Sequence, residues 1–232
     1  MSIIKENISR VNSIKEAAAL RVGKTNEDVL LCAVTKTRSP NEINEAINAG
    51  ITDIGENKVQ EIMEKYELIS PVKWHMIGHL QTNKVKYIID KVDLIHSVDS
   101  MRLAEEINKR ARQHGKVMDI LIQVNSANEE SKFGIAVEDA KRLIEEIPEK
   151  CENIRIKGLM CMAPFEDKPE DAAVYFAEVK QLYDKYSFET NHDRIDFSIL
   201  SMGMSHDFEV AISEGSNFIR VGTAIFGKRD NK

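Results

Sequence analysis

Cysteine is scarce in this chain: Cys32, Cys151 and Cys161 make an odd total of three with no Cys-x-x-Cys pair. That excludes a disulfide framework and a zinc knuckle and fits a reducing compartment. Positive charge is not in excess either. The 32 Lys+Arg stand against 38 Asp+Glu, a net charge of −6, which argues against a broad basic surface for nucleic acid or anionic lipid. Long apolar runs are missing, since no window reaches the roughly 18 residues of a membrane span. The opening Met1-Ser2-Ile3-Ile4-Lys5-Glu6-Asn7 carries charges where a signal peptide needs an apolar stretch. The five prolines are scattered and no Pro/Gly/Ser-rich linker interrupts the chain. The expectation is a cytoplasmic protein of one domain over residues 1–232, with a helical extension at 1–25 and the main body at 29–227. What is present suffices for that: 42% hydrophobic residues over 232 positions can build a sizeable core without metal or disulfide.

Eight short apolar runs alternate with segments of helical period: Val29–Thr35, Ile51–Gly55, Val72–Gly78, Leu94–Val98, Ile120–Asn125, Ile156–Met162, Phe197–Met202 and Phe218–Gly222. Several are nearly continuously apolar, as buried parallel strands are. Between them, Ser39 and Glu42 make a capping box with Pro40 at the first helical position and Gly50 as the stop. Asp99 opens another helix, and further helices are expected over about Glu138–Ile147, Glu170–Tyr186 and Ser205–Glu214, with Ser205 as an N-cap and Gly215 as the stop. With a leading amphipathic helix over about Ile3–Val22, eight strand–helix units predict an α/β fold, a (β/α)8 TIM-type barrel with an N-terminal helical extension. The rival, an open doubly wound sheet, usually has a Gly-rich first turn. Here that turn reads Thr35-Lys36-Thr37-Arg38-Ser39, without glycine.

In such a barrel, function sits at the carboxyl ends of the strands. Lys36 ends strand 1 behind the apolar Leu30-Leu31-Cys32-Ala33-Val34. Partial desolvation there would free its lone pair for a Schiff base with an aldehyde, although a solvated loop lysine is the plain alternative. Strands 7 and 8 end in Ser201-Met202-Gly203-Met204-Ser205 and Arg220-Val221-Gly222-Thr223. Loops in these positions commonly cradle phosphate, which makes Ser201, Gly203, Gly222 and Thr223 candidates. Arg220 lies in an apolar strand and needs a buried acceptor: a carboxylate, a phosphate or a ring nitrogen. Closing a barrel pairs strand 1 with strand 8, so the amine and the cradle become neighbours. A phosphorylated aldehyde cofactor needs that arrangement.

The segments Ala33-Val34-Thr35-Lys36-Thr37, Gly55-Glu56-Asn57, Trp74-His75-Met76-Ile77-Gly78-His79-Leu80-Gln81-Thr82-Asn83-Lys84, Ser97-Val98-Asp99-Ser100, Leu200-Ser201-Met202-Gly203-Met204-Ser205 and Arg220-Val221-Gly222-Thr223-Ala224-Ile225-Phe226-Gly227 together resemble the pyridoxal phosphate homeostasis protein family. That family in turn looks like the N-terminal barrel of bacterial alanine racemase. The resemblance implies pyridoxal 5′-phosphate (PLP) bound as a Schiff base on Lys36. It also implies phosphate contacts from Ser201, Gly222 and Thr223 with Gly203 nearby, Arg220 facing the pyridine nitrogen, and Asn57 beside the cofactor or Lys36. An arginine at that nitrogen keeps it largely unprotonated and weakens the ring as an electron sink.

Two classes of function follow. One is a non-catalytic carrier that holds or delivers PLP within the cell, with apo-enzymes as recipients, as a monomer or weak dimer. The other is an amino-acid racemase, which needs an acid/base group on each face of the substrate. In alanine racemase the second base is a tyrosine from a C-terminal β-domain of the partner subunit. This chain ends ten residues after Gly222, and its five tyrosines, Tyr66, Tyr87, Tyr175, Tyr183 and Tyr186, fall in helical segments outside the barrel. The carrier is therefore the preferred expectation. His75 and His79 are not expected to converge on a metal, because one lies on a strand and the other beyond its end. Ser205-His206-Asp207 cannot form a hydrolase relay from consecutive residues. Glu129-Glu130-Ser131-Lys132 reads as a solvated loop, with Lys132 allowed near the mouth by the resemblance, and Met160, Met162, Met202 and Met204 read as apolar lining.

Overall fold

A computed structural model describes residues 2–127, 133–189 and 192–228. Its eight strands form a closed barrel in chain order: β1 Leu30–Val34, β2 Asp53–Glu56, β3 Lys73–Met76, β4 Leu94–Val98, β5 Met118–Val124, β6 Ile154–Cys161, β7 Ile195–Ser201 and β8 Phe218–Val221. Every pairing is parallel, and β1 closes on β8 through Cys32 opposite Arg220 and Ala33 opposite Val221. Each strand falls within or beside one of the eight apolar runs, because strands covered by helices outside and filled inside have no solvent face to mark with polar residues.

The helices are α1 Ile3–Arg21, α2 Pro40–Asn48, α3 Val59–Lys65, α4 Met101–Gln113, α5 Val137–Lys150, α6 Ala173–Glu189, α7 Phe208–Ser213 and α8 Thr223–Phe226. The capping box on α2 forms as expected: the Ser39 hydroxyl accepts from the Glu42 N–H and Glu42 Oε2 accepts from the Ser39 N–H at 2.8 Å. On α1, Ile4, Ile8, Val11, Ala18 and Ala19 are buried. The helix is fixed to the barrel by Lys15, whose Nζ donates to the carbonyls of Val29 (2.6 Å) and Asn26 (3.0 Å), and by Asn7, which donates to the carbonyl of Ile225.

Three expectations are corrected. The link between β3 and β4 carries a 3-10 helix over Thr82–Tyr87 instead of an α-helix. Its Thr82, Val85, Tyr87, Ile88 and Ile89 are β-branched or aromatic and give up side-chain freedom in an α-helix. The cap of α4 is Ser100, whose hydroxyl accepts from the Leu103 N–H, one residue past Asp99. Finally, Ser205 does not cap α7, which starts at Phe208. The Ser205 side chain has other partners.

Candidate functional site

The strand ends at the carboxyl face surround a cavity of about 250 Å³ open to solvent, a concave, partly apolar site of the kind that takes a small molecule. Lys36, Asn57, Arg220, Gly222 and Thr223 all line it, with Ser205, Arg38 and His206 beside them. Val34, Ile77, Met162, Phe165 and Met204 supply apolar wall. The described lining contains three cationic side chains and no carboxylate, a donor set matched to an anionic ligand.

Lys36 is half-buried, two residues beyond β1, and the backbone on each side of it is held. Thr35 donates from its N–H to the Gly55 carbonyl (3.0 Å) and from its hydroxyl to Glu56 Oε1 (2.8 Å). The Thr37 N–H donates to Glu61 Oε2 at 2.6 Å. Lys65 ties these together: its Nζ donates to the Thr35 carbonyl at 3.0 Å and to Glu56 and Glu61 at 2.7 Å each. Burial pushes the Glu56 carboxyl up against the pull of Lys65 and Thr35. Thr37 itself has φ 64°, a left-handed conformation that a β-branched residue adopts only under constraint. The clamp thus fixes the turn that aims Lys36.

On the adjoining wall, the backbone N–H groups of Gly222 and Ala224 both donate to the Ser205 hydroxyl, at 3.1 and 3.3 Å. Two convergent N–H groups and a hydroxyl form the type of nest that receives phosphate oxygens. A Cβ on Gly222 would lie 3.2 Å from the Cβ of Val34, so glycine keeps β8 close to β1 at this point. Gly203, in contrast, does not line the cavity. Its φ of 89° and the 2.6 Å that would separate a Cβ from Ala211 explain it as a turn residue, and its carbonyl accepts from the Arg220 N–H. Asn57 Oδ1 is buried without a hydrogen-bond partner at the cavity wall.

Ser201 departs from expectation. Its side chain is fully buried and is not part of the described lining; instead it accepts from Arg220 Nη1 at 2.5 Å and lies 3.1 Å from His96 Nδ1. Arg220 Nη2 donates to the Cys161 carbonyl at 2.8 Å. His96 Nε2 is 3.0 Å from His75 Nδ1, and His75 Nε2 is 2.8 Å from Asp53 Oδ1. β4 and β7 are not neighbours, so the His96–Ser201 contact crosses the barrel lumen. The other part of the lumen is apolar, with Leu94, Leu121 and Met160 packed together. Sequence reasoning weighed His75 only as a metal ligand and passed over His96 and Asp53. The signal was available: all three are titratable residues inside apolar strands, as Arg220 is.

Burial drives the pKa of His96 well below 6.5, helped by His75 and Arg220. His96 is therefore neutral when folded and takes a proton when unfolded. Stability should be full above about pH 6.5 and fall as pH drops below it, by about 1.4 kcal/mol per pH unit, roughly 3–6 °C in the thermal midpoint. Calorimetry of the wild type between about pH 7.5 and 5.5, set against His96→Asn, checks this. Equal slopes in the two proteins would refute it.

His79 is directed elsewhere, 3.9 Å from Asp99 and stacked on Phe133 with ring centroids 4.0 Å apart, so it does not converge with His75 of β3. His206 stacks on Phe165 at the rim. None of the five tyrosines is in the described lining, and Glu129 to Lys132 fall outside the described residues.

The fold and the cavity define a class: a (β/α)8 barrel with a lysine at the end of its first strand facing a phosphate-type nest at the end of its eighth. Comparison with known proteins gives the same class, for the alanine racemase N-terminal domain model matches residues 11–230. A pyridoxal phosphate homeostasis protein from Aquifex aeolicus is 44% identical, with 97% of both chains covered. PipY from Synechococcus elongatus, solved with PLP bound, is 32% identical with a TM-score of 0.78, covering 92% of this chain and 99% of that one. Clostridium difficile alanine racemase shares the fold at 16% identity and TM-score 0.77, covering 99% of this chain and 60% of the racemase. The chain belongs to the pyridoxal phosphate homeostasis protein family.

Proposed function

We propose that this protein binds PLP at the barrel mouth and serves intracellular PLP homeostasis as a carrier without catalytic turnover. The observation that carries the reading is the convergence, on one cavity, of Lys36, the paired N–H groups of Gly222 and Ala224, and Arg220. The residues fit the cofactor on this structure's own terms: the nest already holds a hydroxyl oxygen, the lining is cationic, and the Asn57 carbonyl awaits a donor. PLP supplies an aldehyde that condenses with an amine and a ring that withdraws electrons.

Lys36 provides the amine, held by the Thr35–Glu56–Lys65–Glu61–Thr37 clamp. Gly222, Thr223 and Ser205 receive the phosphate, while Asn57 accepts from a donor beside Lys36. Ser201 and Gly203 act one step back, Ser201 through the Arg220 guanidinium and Gly203 through its backbone. Arg220 would lend a fixed cation to the bound ring. Relatives named for PLP homeostasis and a relative solved with PLP support this assignment. The carrier works in the cytoplasm as a monomer or weak dimer, with apo-enzymes as recipients; no helix among the described residues is long and apolar enough to cross a membrane.

The absence of turnover rests on Arg220, a cation that disfavours a protonated ring nitrogen and hence a long-lived carbanion. Incubating the PLP-loaded protein with L-alanine and other L-amino acids should give no D-enantiomer above the level of free PLP, by chiral chromatography. Clear turnover would replace the carrier with the racemase reading. A protein that takes up no PLP would end both.

A further inference from the structure

We propose that Asp53, His75, His96 and Ser201 form one positioning relay that orients the Arg220 guanidinium at the cofactor cavity, so that residues remote from the ligand set how tightly and in which state it is held. The inference rests on the PLP reading above. It starts from the cost of the arrangement. Asp53, His75, His96, Ser201 and Arg220 are all nearly inaccessible to solvent, and buried polar groups persist only when each is satisfied. Here every link is within hydrogen-bond distance, and the chain visits five strands: β2, β3, β4, β7 and β8. Phe218 packs against both imidazoles, with ring centroids 5.2 Å from His75 and 4.9 Å from His96.

For singly protonated imidazoles, the ends of the chain fix the direction of every donor. Arginine only donates and a carboxylate only accepts. Burial acts to raise the Asp53 carboxyl, but hydrogen bonds from His75 and Thr52 hold it below its ordinary value, so it is an anion. His75 must then donate from Nε2. With one proton per ring, its Nδ1 accepts from His96 Nε2, and His96 Nδ1 accepts from the Ser201 hydroxyl. That leaves the Ser201 oxygen to accept from Arg220 Nη1. Only this assignment satisfies all four links with two neutral imidazoles. Its consequence is a guanidinium whose Nη1 and Nη2 are tied to Ser201 and Cys161, which sets the plane of the group. Hydrogen bonds from an ion to a buried partner are directional and among the stronger ones. Rupture at any link leaves the next group free to rotate.

The discriminating variant is Asp53→Asn, because Asp53 is four links from the cavity and does not line it. PLP is titrated into the wild type, Asp53→Asn, Ser201→Ala, Ser201→Thr and, as a control for general destabilisation, the buried Ile107→Ala, each well below its melting temperature. Both Asp53→Asn and Ser201→Ala should raise the PLP dissociation constant about tenfold and move the visible absorbance maximum. Ser201→Thr, which keeps the hydroxyl, and Ile107→Ala should do neither. If Asp53→Asn lowers only the melting temperature, the network is structural and the proposal fails, whatever Ser201→Ala does. Histidine 15N NMR on the protein without PLP tests the donor order independently: Nδ1-protonated His75 or His96 would overturn it. Lack of PLP uptake by the wild type would instead remove the functional reading and leave the NMR result standing.

Discussion

Replacing Lys36 with alanine abolishes the visible absorbance that PLP gains on binding, and borohydride reduction of the wild-type complex followed by peptide mapping places the pyridoxyl group on Lys36. The effect is large because this lysine is the one that reaches the cavity among the described lining residues. It also emerges from a turn whose neighbours are spoken for, Thr35 by Gly55, Glu56 and Lys65 and Thr37 by Glu61. The phosphate nest and Arg220 survive the substitution, so PLP should still bind non-covalently, roughly a hundredfold more weakly for the loss of about 3 kcal/mol. Fluorescence titration of Lys36→Ala measures that residue of affinity. A pyridoxyl group on any other lysine of the wild type would move the site.

The barrel was legible because its message is redundant: eight apolar runs, their spacing and their helix caps each point to the same architecture. The cofactor wall was legible where single residues broke the pattern, as Lys36 and Arg220 do at the ends of apolar strands. What could not be read were bonds across the lumen. His96 and Ser201 are 105 positions apart, and only barrel closure brings β4 opposite β7, so Ser201 looked like a loop hydroxyl free for phosphate. Ser205 was misassigned for the complementary reason. A serine shortly before a helix is a cap by local rule, but here two N–H groups from the β8 end, 17 and 19 residues away, capture the oxygen first. Local chemistry predicts local partners, and both serines had distant ones.

The same long-range logic makes Lys65 a strong test of how Lys36 is held. Lys65→Ala removes one ammonium from three acceptors, Glu56 Oε1, Glu61 Oε2 and the Thr35 carbonyl, and leaves the two carboxylates without their counter-charge. Glu56 is fully buried, and breaking a buried ion pair by deleting one partner typically costs about 3–5 kcal/mol, or roughly 6–20 °C in a chain of this size. Because Glu56 is already pushed toward its neutral form by burial, losing Lys65 pushes it further. A carboxyl whose folded pKa lies above its unfolded value binds protons preferentially in the folded state, so lowering the pH relieves the variant. The difference in stability between wild type and Lys65→Ala should therefore shrink between about pH 7.5 and 5.5, a comparison in which the acid lability from His96 cancels. Adding Glu56→Gln to the variant should recover part of the loss at neutral pH, since the stranded charge is gone. Denaturant unfolding of the three proteins measures each term. A Lys65→Ala protein within about 1 kcal/mol of wild type would mean that surface pairs of ordinary strength, not a buried clamp, hold the turn. If the clamp does aim Lys36, Lys65→Ala should also slow PLP uptake below its melting range, and the double variant should restore stability more than uptake, because Thr35 and Thr37 still lack the ammonium that joined their partners.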